Sequence, residues 1–424
     1  MILIIHVVKP NDTVYAIAKQ YGIPPEWIIQ NNSLTDPNRL VVGQTLVIGI
    51  PAITHTVEEG ETLFSIAREY QVTVDRLLQN NPFLAGSTII RPGDTLVIRY
   101  ESEGKRCIIV NGYVYPSVRG EVLDSTLPHL SYITPFSYGF KADGSLVTLA
   151  DDDIVETARA QGVAPIMLLT TLNTEGKFDN NLSRLLLNDT DMQDYLIGRI
   201  IENMQLKGYR ILDVDFEFVF PESRVAYADF IKRIKQAFEP YGYQVWVALA
   251  PKTSAEQKGL LYEAHDYALL GEAADRVLLM TYEWGYRYGP NMAVAPIDKV
   301  REVVDYALTE IPPEKILLGV PNYGYDFTLP YIADVSEATT VSNTGAVALA
   351  LEKNAAIEYD AVSQAPFFRY NENGKTHEVW FEDARSIKAK LDLMDEKELS
   401  GISIWNLMNY FPQSFLMLIP YCIS

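Results

Sequence analysis

From residue 107 onward eight short, largely apolar runs recur, and nothing else in the sequence limits the fold as tightly. They are Cys107–Tyr113, Tyr132–Phe136, Pro165–Leu169, Ile211–Phe218, Gln244–Ala250, Arg276–Tyr282, Lys315–Val320 and Gly401–Trp405. They read as strand candidates. Helix-patterned stretches follow most of them, among them Asp151–Gln161, Met192–Lys207, Arg224–Glu239, Pro296–Leu308 and Asp383–Met394. Eight strands alternating with helices over roughly 300 residues predict an α/β fold, a (β/α)8 TIM barrel. The longest intervals lie between Val320 and Gly401, so a small α+β insertion is expected there, at about 327–382. Within it Tyr359–Phe381 alternates around Asn371-Glu-Asn-Gly374, which reads as a hairpin.

The first hundred residues are built differently. His6-Val-Val-Lys-Pro-Asn-Asp-Thr-Val-Tyr-Ala-Ile-Ala-Lys-Gln-Tyr21 aligns with His55-Thr-Val-Glu-Glu-Gly-Glu-Thr-Leu-Phe-Ser-Ile-Ala-Arg-Glu-Tyr70 at an offset of 49 residues. The repeat continues through Asn31-Asn32 over Asn80-Asn81 and closes with Gly-x-Thr-Leu-Val-Ile in both copies. Each unit reads as strand, helix, helix, strand. Thr13 and Thr62 are placed to cap the first helix. Val14, Ile17, Ala18 and Tyr21 supply the i, i+3, i+4, i+7 stripe of its buried face. The polar segment Arg99–Arg106 breaks the pattern. The expected units are therefore 3–49, 54–99 and 106–424.

One barrel strand is chemically unusual. In Ile211-Leu-Asp-Val-Asp-Phe-Glu-Phe-Val219 three carboxylates alternate with large apolar residues. Strand period predicts Asp213, Asp215 and Glu217 on one face and Leu212, Val214, Phe216 and Phe218 on the other. Like charges roughly 6.5–7 Å apart along a strand cannot all ionise in a poorly solvated interior. At least one proton is held at neutral pH, as a general acid requires. In such a barrel the chemistry sits at the carboxyl ends of the strands. The residues there include Tyr113, Tyr138, Asn173, Glu217, Tyr282-Glu283-Trp284, Asn322-Tyr323 and Trp405. Aromatic rings stack on sugar faces while amides and carboxylates take hydroxyls.

The formal net charge of -20 argues against nucleic acid or an anionic membrane surface as partner. No segment is long and apolar enough to span a bilayer, and the apolar start Met1–Lys9 lacks the marks of a signal peptide. There is no Cys/His cluster, so no metal or other cofactor is expected. Cys107 and Cys422 lie near the two ends of the larger unit, and the sequence leaves open whether they pair.

The two N-terminal repeats resemble LysM modules through His-x-Val, Asp/Glu-Thr, Ile-Ala, Tyr, Gln-Asn-Asn and Gly-x-Thr-Leu. The resemblance implies binding of N-acetylglucosamine-containing glycans. It implies ligands Asn11, Asp12, Thr13 and Asn32 in the first module and Gly60, Glu61, Thr62 and Asn81 in the second. Pro10-Asn11 stands where the family usually has glycine. Residues 107–424 resemble family-18 glycoside hydrolases. The signature Asp-x-x-Asp-x-Asp-x-Glu falls on Arg210, Asp213, Asp215 and Glu217, with Arg210 a departure. Met-x-Tyr-Asp falls on Met280-Thr-Tyr282-Glu283, and the floor tryptophan on Trp405. Val110-Asn-Gly-Tyr113, Ile133–Tyr138, Met280–Gly285 and the paired modules look like bacterial spore cortex-lytic N-acetylglucosaminidases.

That resemblance implies a retaining, substrate-assisted β-N-acetylglucosaminidase acting on peptidoglycan, with Glu217, Asp215, Asp213 and Tyr282 catalytic. Trp405, Tyr138, Asn173, Glu283, Trp284, Asn322, Tyr323 and Tyr113 would bind substrate. A monomer acting at the spore cortex or the cell wall is expected. A chitinase and a silent glycan-binding protein are the alternatives. The modest insertion speaks against the first and the presence of Glu217 against the second.

Overall fold

The computed structural model describes residues 3–34, 36–100, 104–172 and 177–424. The eight expected strands are present, with ends that differ by a few residues. They are β1 (Cys107–Val114), β2 (Tyr132–Pro135), β3 (Ala164–Pro165 and Met167–Thr170), β4 (Ile211–Asp215), β5 (Gln244–Leu249), β6 (Arg276–Leu279), β7 (Ile316–Pro321) and β8 (Gly401–Trp405). Every neighbouring pair is parallel, and β8 returns to β1 with Gly401 opposite Ile109. The ring closes between β2 and β3, where Tyr132 faces Ala164 and the Tyr138 N–H donates to the Leu168 carbonyl.

Strand period sorts the side chains. Ile109, Tyr113, Ile166, Leu168, Ile211, Trp246, Ala248, Leu278 and Leu317 fill the barrel interior. The alternate residues, such as Val110, Leu212, Val214, Val247 and Leu279, pack outward under the helices. A polar layer crosses the interior: Thr134 donates to Asn111 Oδ1 at 2.9 Å, and Asn111 Nδ2 to Ser403 at 2.9 Å.

β4 departs from expectation. It ends at Asp215, and Glu217 and Phe218 form a turn beyond it. Phe216 still packs outward, stacked on Tyr227 and Phe230. Phe218 does not join it and is 36% exposed. The alternation visible in the sequence therefore outlasts the strand itself.

Between β7 and β8 stands a five-stranded antiparallel sheet with one helix, Asn343–Glu352. The expected hairpin is there as Ala365–Glu372 and Lys375–Trp380. Its two-residue loop, Asn373 and Gly374, has φ of 50° and 76°, as a type I′ turn requires.

Each N-terminal unit pairs its outer strands antiparallel, Leu3–Val7 with Thr45–Gly49 and Pro51–Thr56 with Thr95–Tyr100. Two helices lie between them: Val14–Tyr21 and Pro25–Asn31, then Leu63–Tyr70 and Val74–Asn80. Thr13 and Thr62 cap as expected, accepting from the Ala16 and Ser65 amides at 3.1 Å.

Both units are mounted on the barrel. Gln413, buried after β8, donates to Asn32 Oδ1 and the Thr45 carbonyl and accepts from the Thr45 hydroxyl. Val41 enters the apolar core of the insertion. Gly43 lies so close to the insertion that a Cβ there would stand 1.8 Å from the Ile357 carbonyl oxygen. In the second unit Arg76 donates to the carbonyls of Ile419 and Tyr421 at 3.1 and 3.0 Å. The chain ends on a short strand that sets Cys422 opposite Cys107; both are exposed free thiols. Among the described residues no helix is long and apolar enough to cross a membrane.

Candidate active site

A cavity of about 780 Å³ opens at the carboxyl ends of the barrel strands, where Asp215, Glu217, Tyr113, Tyr282, Trp284 and Trp405 all reach its wall. Trp405 forms its aromatic floor. Its ring meets Tyr113, Tyr115 and Phe136 edge-on, with centroids 5.4, 6.0 and 5.1 Å away. Gly319 on β7 makes room for Tyr282, since a Cβ there would approach the Tyr282 ring to 2.9 Å.

The acids are graded by depth. Asp213 is 2% exposed, and Tyr113 donates to its Oδ2 at 2.5 Å while Oδ1 has no partner. Burial pushes its carboxyl up to about 6 against the lowering effect of the Tyr113 bond. Asp215 is buried, and its Oδ1 is also unpartnered. Burial, then Glu217, then Asp213 hold it well above the usual carboxylate range. Glu217, at the mouth, is pushed up to about 7 by burial and then by the nearby Glu283. Three acids with raised affinities titrate as a set, and a proton stays among them near neutral pH.

Glu283 lies across from Glu217 in the loop after β6, with φ of 67°. The hydroxyl of Tyr323 donates to its Oε1, and that of Tyr325 reaches both oxygens at 3.1 and 3.2 Å. Burial raises its carboxyl while the two tyrosines pull it down. Tyr323 is therefore a brace for Glu283 and is itself buried.

Several expected ligands are elsewhere. Tyr138 is fully buried behind β2, where its hydroxyl and that of Tyr209 donate to Asp151 Oδ2 at 2.8 and 2.6 Å. The strand period holds through Phe136, which faces the cavity, and breaks after it, so Tyr138 does not. Asn322 is buried too; its amide donates to the Asn406 and Asn409 carbonyls and ties the loop after β8. Asn173 lies outside the described residues. Arg210 is exposed at the opposite end of β4, away from the cavity. In the N-terminal units Asn32 and Asn81 are buried clamps. Asn81 Nδ2 donates to the Leu77 and Val97 carbonyls while its Oδ1 accepts from the Val97 N–H, and Asn32 bonds Ile28 and Val47 in the same way. Both amides have their N–H groups spent internally and are buried away from any sugar.

The remaining candidates divide. The Asp12 and Glu61 carboxylates accept from His6 and His55 at 3.0 and 2.8 Å and from the Lys9 and Glu58 amides. Asn11 and Gly60, both at positive φ, and the capping threonines Thr13 and Thr62 are exposed. Sequence reasoning missed Tyr115, Phe136, Phe178, Gln257 and Tyr262, which also line the cavity. Tyr115 and Phe136 were recoverable by running the period of β1 and β2 two residues past Tyr113 and Thr134. Gln257 and Tyr262 sit on a loop whose path carries no periodic signal.

Residues 171–409 match the family model of the glycosyl hydrolases family 18, and residues 6–49 and 55–99 each match that of the LysM domain. The chain is similar to the cortical fragment-lytic enzyme of Bacillus subtilis (strain 168), 45% identical over 98% of this chain and 97% of that protein. Its fold is similar to the crystal structure of the Bacillus cereus spore cortex-lytic enzyme SleL, with a TM-score of 0.85 and 36% identity over 100% and 99% of the two chains. The Bacillus megaterium QM B1551 spore cortex-lytic enzyme SleL matches with a TM-score of 0.84 and 38% identity, over 99% and 98% of the chains.

Proposed function

The chain belongs to the glycosyl hydrolases family 18, and on that footing we propose that it cleaves β-1,4 bonds of N-acetylglucosamine in spore cortex peptidoglycan or its fragments. It is a glycosidase, and its LysM domains are glycan-binding. The similarity to enzymes named cortical fragment-lytic and spore cortex-lytic supports the substrate. The reading divides the chain into two glycan-binding units, 3–49 and 54–99, and a catalytic unit, 106–424. It sets the protein to work as a monomer at the spore cortex. Exposed Asn11, Thr13, Gly60 and Thr62 are the module residues left to meet sugar.

The observation that carries the mechanism is the placement of Glu217 at the cavity wall, just beyond the buried Asp215 and Asp213, each with an unpartnered Oδ1. Glu217 holds its proton near neutral pH at the cavity mouth and gives it to the glycosidic oxygen. The substrate's 2-acetamido oxygen attacks C1, so an oxazolinium forms and no protein nucleophile is needed. Asp215 Oδ1, buried and unpartnered, is free to take the acetamide N–H. Tyr282 holds the acetamide oxygen, and Asp213, fixed by Tyr113, supports Asp215 from below. Glu217, now ionised, then draws a proton from water as the ring opens. Trp405 supplies the apolar floor, with Trp284 and Glu283 on the rim.

A thiazoline mimic of the oxazolinium is expected to inhibit competitively and tightly, and weak inhibition would point to a protein nucleophile. Mass spectrometry of products from cortex fragments, vegetative peptidoglycan and chitin oligomers tests the substrate. Cortex fragments are expected to be cleaved fastest, with products ending in N-acetylglucosamine. Preference for chitin oligomers would overturn the assignment.

A further inference from the structure

Glu217 stands two residues beyond the last residue of β4, so the sheet ladder does not hold it. The turn's own backbone contributes one short-range bond, from the Val219 N–H to the Glu217 carbonyl at 2.9 Å. A group that must deliver a proton to within a few tenths of an ångström needs more support than that.

That support comes from a side chain 48 residues later. His265 is fully buried, and its Nε2 lies 3.1 Å from both the Phe216 and the Glu217 carbonyl oxygens. Its Nδ1 accepts the Ala250 N–H at 3.0 Å, just past the end of β5. The second bond fixes the tautomer. An Nδ1 that accepts carries no proton, so the proton is on Nε2 and is donated to the turn. The imidazole is thus a strut between β5 and the turn that carries Glu217. The strut is itself held: Lys252 donates to the His265 carbonyl at 3.1 Å, and the Tyr267 hydroxyl donates to the Ala250 carbonyl at 2.7 Å. Burial pushes the imidazole down to about 4, against the opposing pull of its bonds to the Glu217 and Phe216 carbonyls and with the Lys252 ammonium, so the ring is neutral wherever Glu217 works. Tyr227 meets the ring edge-on and brings no charge.

We infer that His265 is a positioning residue for proton delivery, setting the Glu217 turn through a neutral, Nε2-protonated imidazole anchored on β5. The inference rests on the reading of Glu217 as the general acid. A positioning residue acts on the chemical step and on the acid's environment, whereas a packing residue acts on stability alone. His265→Asn leaves an amide that can still accept from Ala250 and cannot reach the turn. His265→Gln extends an amide N–H to about the position of Nε2.

The experiment compares both variants and Glu217→Gln on a soluble N-acetylated oligosaccharide, with melting temperatures measured alongside. His265→Asn is expected to lower kcat at least about tenfold with KM changed less than about twofold, because the turn is loosened and the sugar floor is not. The alkaline limb of its kcat/KM profile is expected to move toward lower pH as Glu217 gains access to water. His265→Gln is expected to restore most of kcat and to return the limb toward its original position. Wild-type kcat and an unmoved limb in His265→Asn would overturn the inference, as would equal losses in both variants that track melting temperature. If Glu217→Gln itself kept wild-type turnover, the reading of the general acid would fail instead.

Discussion

Glu217 gives up its proton at the expense of the fold. Burial and then Glu283 push its carboxyl up to about 7 from an ordinary 4.5, so the native state binds the proton more tightly. That extra stability is fully present below about pH 4.5 and is lost as pH rises through about 7. Glu217→Gln is therefore expected to melt with the wild type at pH 4.5. At pH 8 it should be more stable by roughly 1–3 kcal/mol while losing nearly all turnover. Thermal melts at the two pH values check the sign; a variant less stable at pH 8 would contradict it. The same group sets the working range, since turnover should fall as pH climbs past about 7. At this scale the acid run was legible because strand period and charge were written in the same nine residues. Tyr138, Asn32 and Asn81 were misread for a common reason. A polar side chain near a strand or helix end looks the same in sequence whether it faces a cavity or closes an internal hydrogen bond, and the partners Asp151, Val47 and Val97 are set by tertiary packing.

The barrel strands were legible to about a residue at every end but the last ones of β4 and β6, because a strand covered on both faces has to be apolar along its length. Beyond Asp215 the Phe216 and Glu217 carbonyls meet His265, far along the chain, rather than a neighbouring strand. The repeated units offer a controlled comparison of elements. Gly43 and Gly93 occupy equivalent turns before the last strand of each copy, with φ of 85° and 94°. A Cβ on Gly93 meets nothing within 4 Å, whereas one on Gly43 strikes the Ile357 backbone. Gly93→Ala is expected to cost about 1 kcal/mol, the strain of positive φ alone. Gly43→Ala should cost clearly more, roughly 2–4 kcal/mol, since backbone must also shift. Denaturant melts of the two variants check the difference, and equal costs would mean the first unit is not pressed against the insertion.

In the whole molecule the N-terminal units are part of the fold as well as its binding equipment. Removing residues 1–99 takes Val41 out of the insertion core, leaves Gln413 Nε2 without its two acceptors and takes the Arg76 donor from the Ile419 and Tyr421 carbonyls. The shortened chain is expected to melt several degrees lower. Its retention on insoluble peptidoglycan should fall far more than its cleavage of soluble fragments, measured below the new melting point. Equal losses would mean that the units shape the catalytic cavity. The sequence revealed these units as a repeat but not their seating, because the seat is made of residues more than 300 positions away. The seating also governs how the enzyme meets a solid. A module on a loose tether would let the barrel sweep a sphere around its anchor and sample any strand within reach. A module bolted on through Gln413, Val41 and Arg76 fixes a bearing: wherever the wall is gripped, the cavity faces one direction. The order of the polymer then decides how much of it lies within reach.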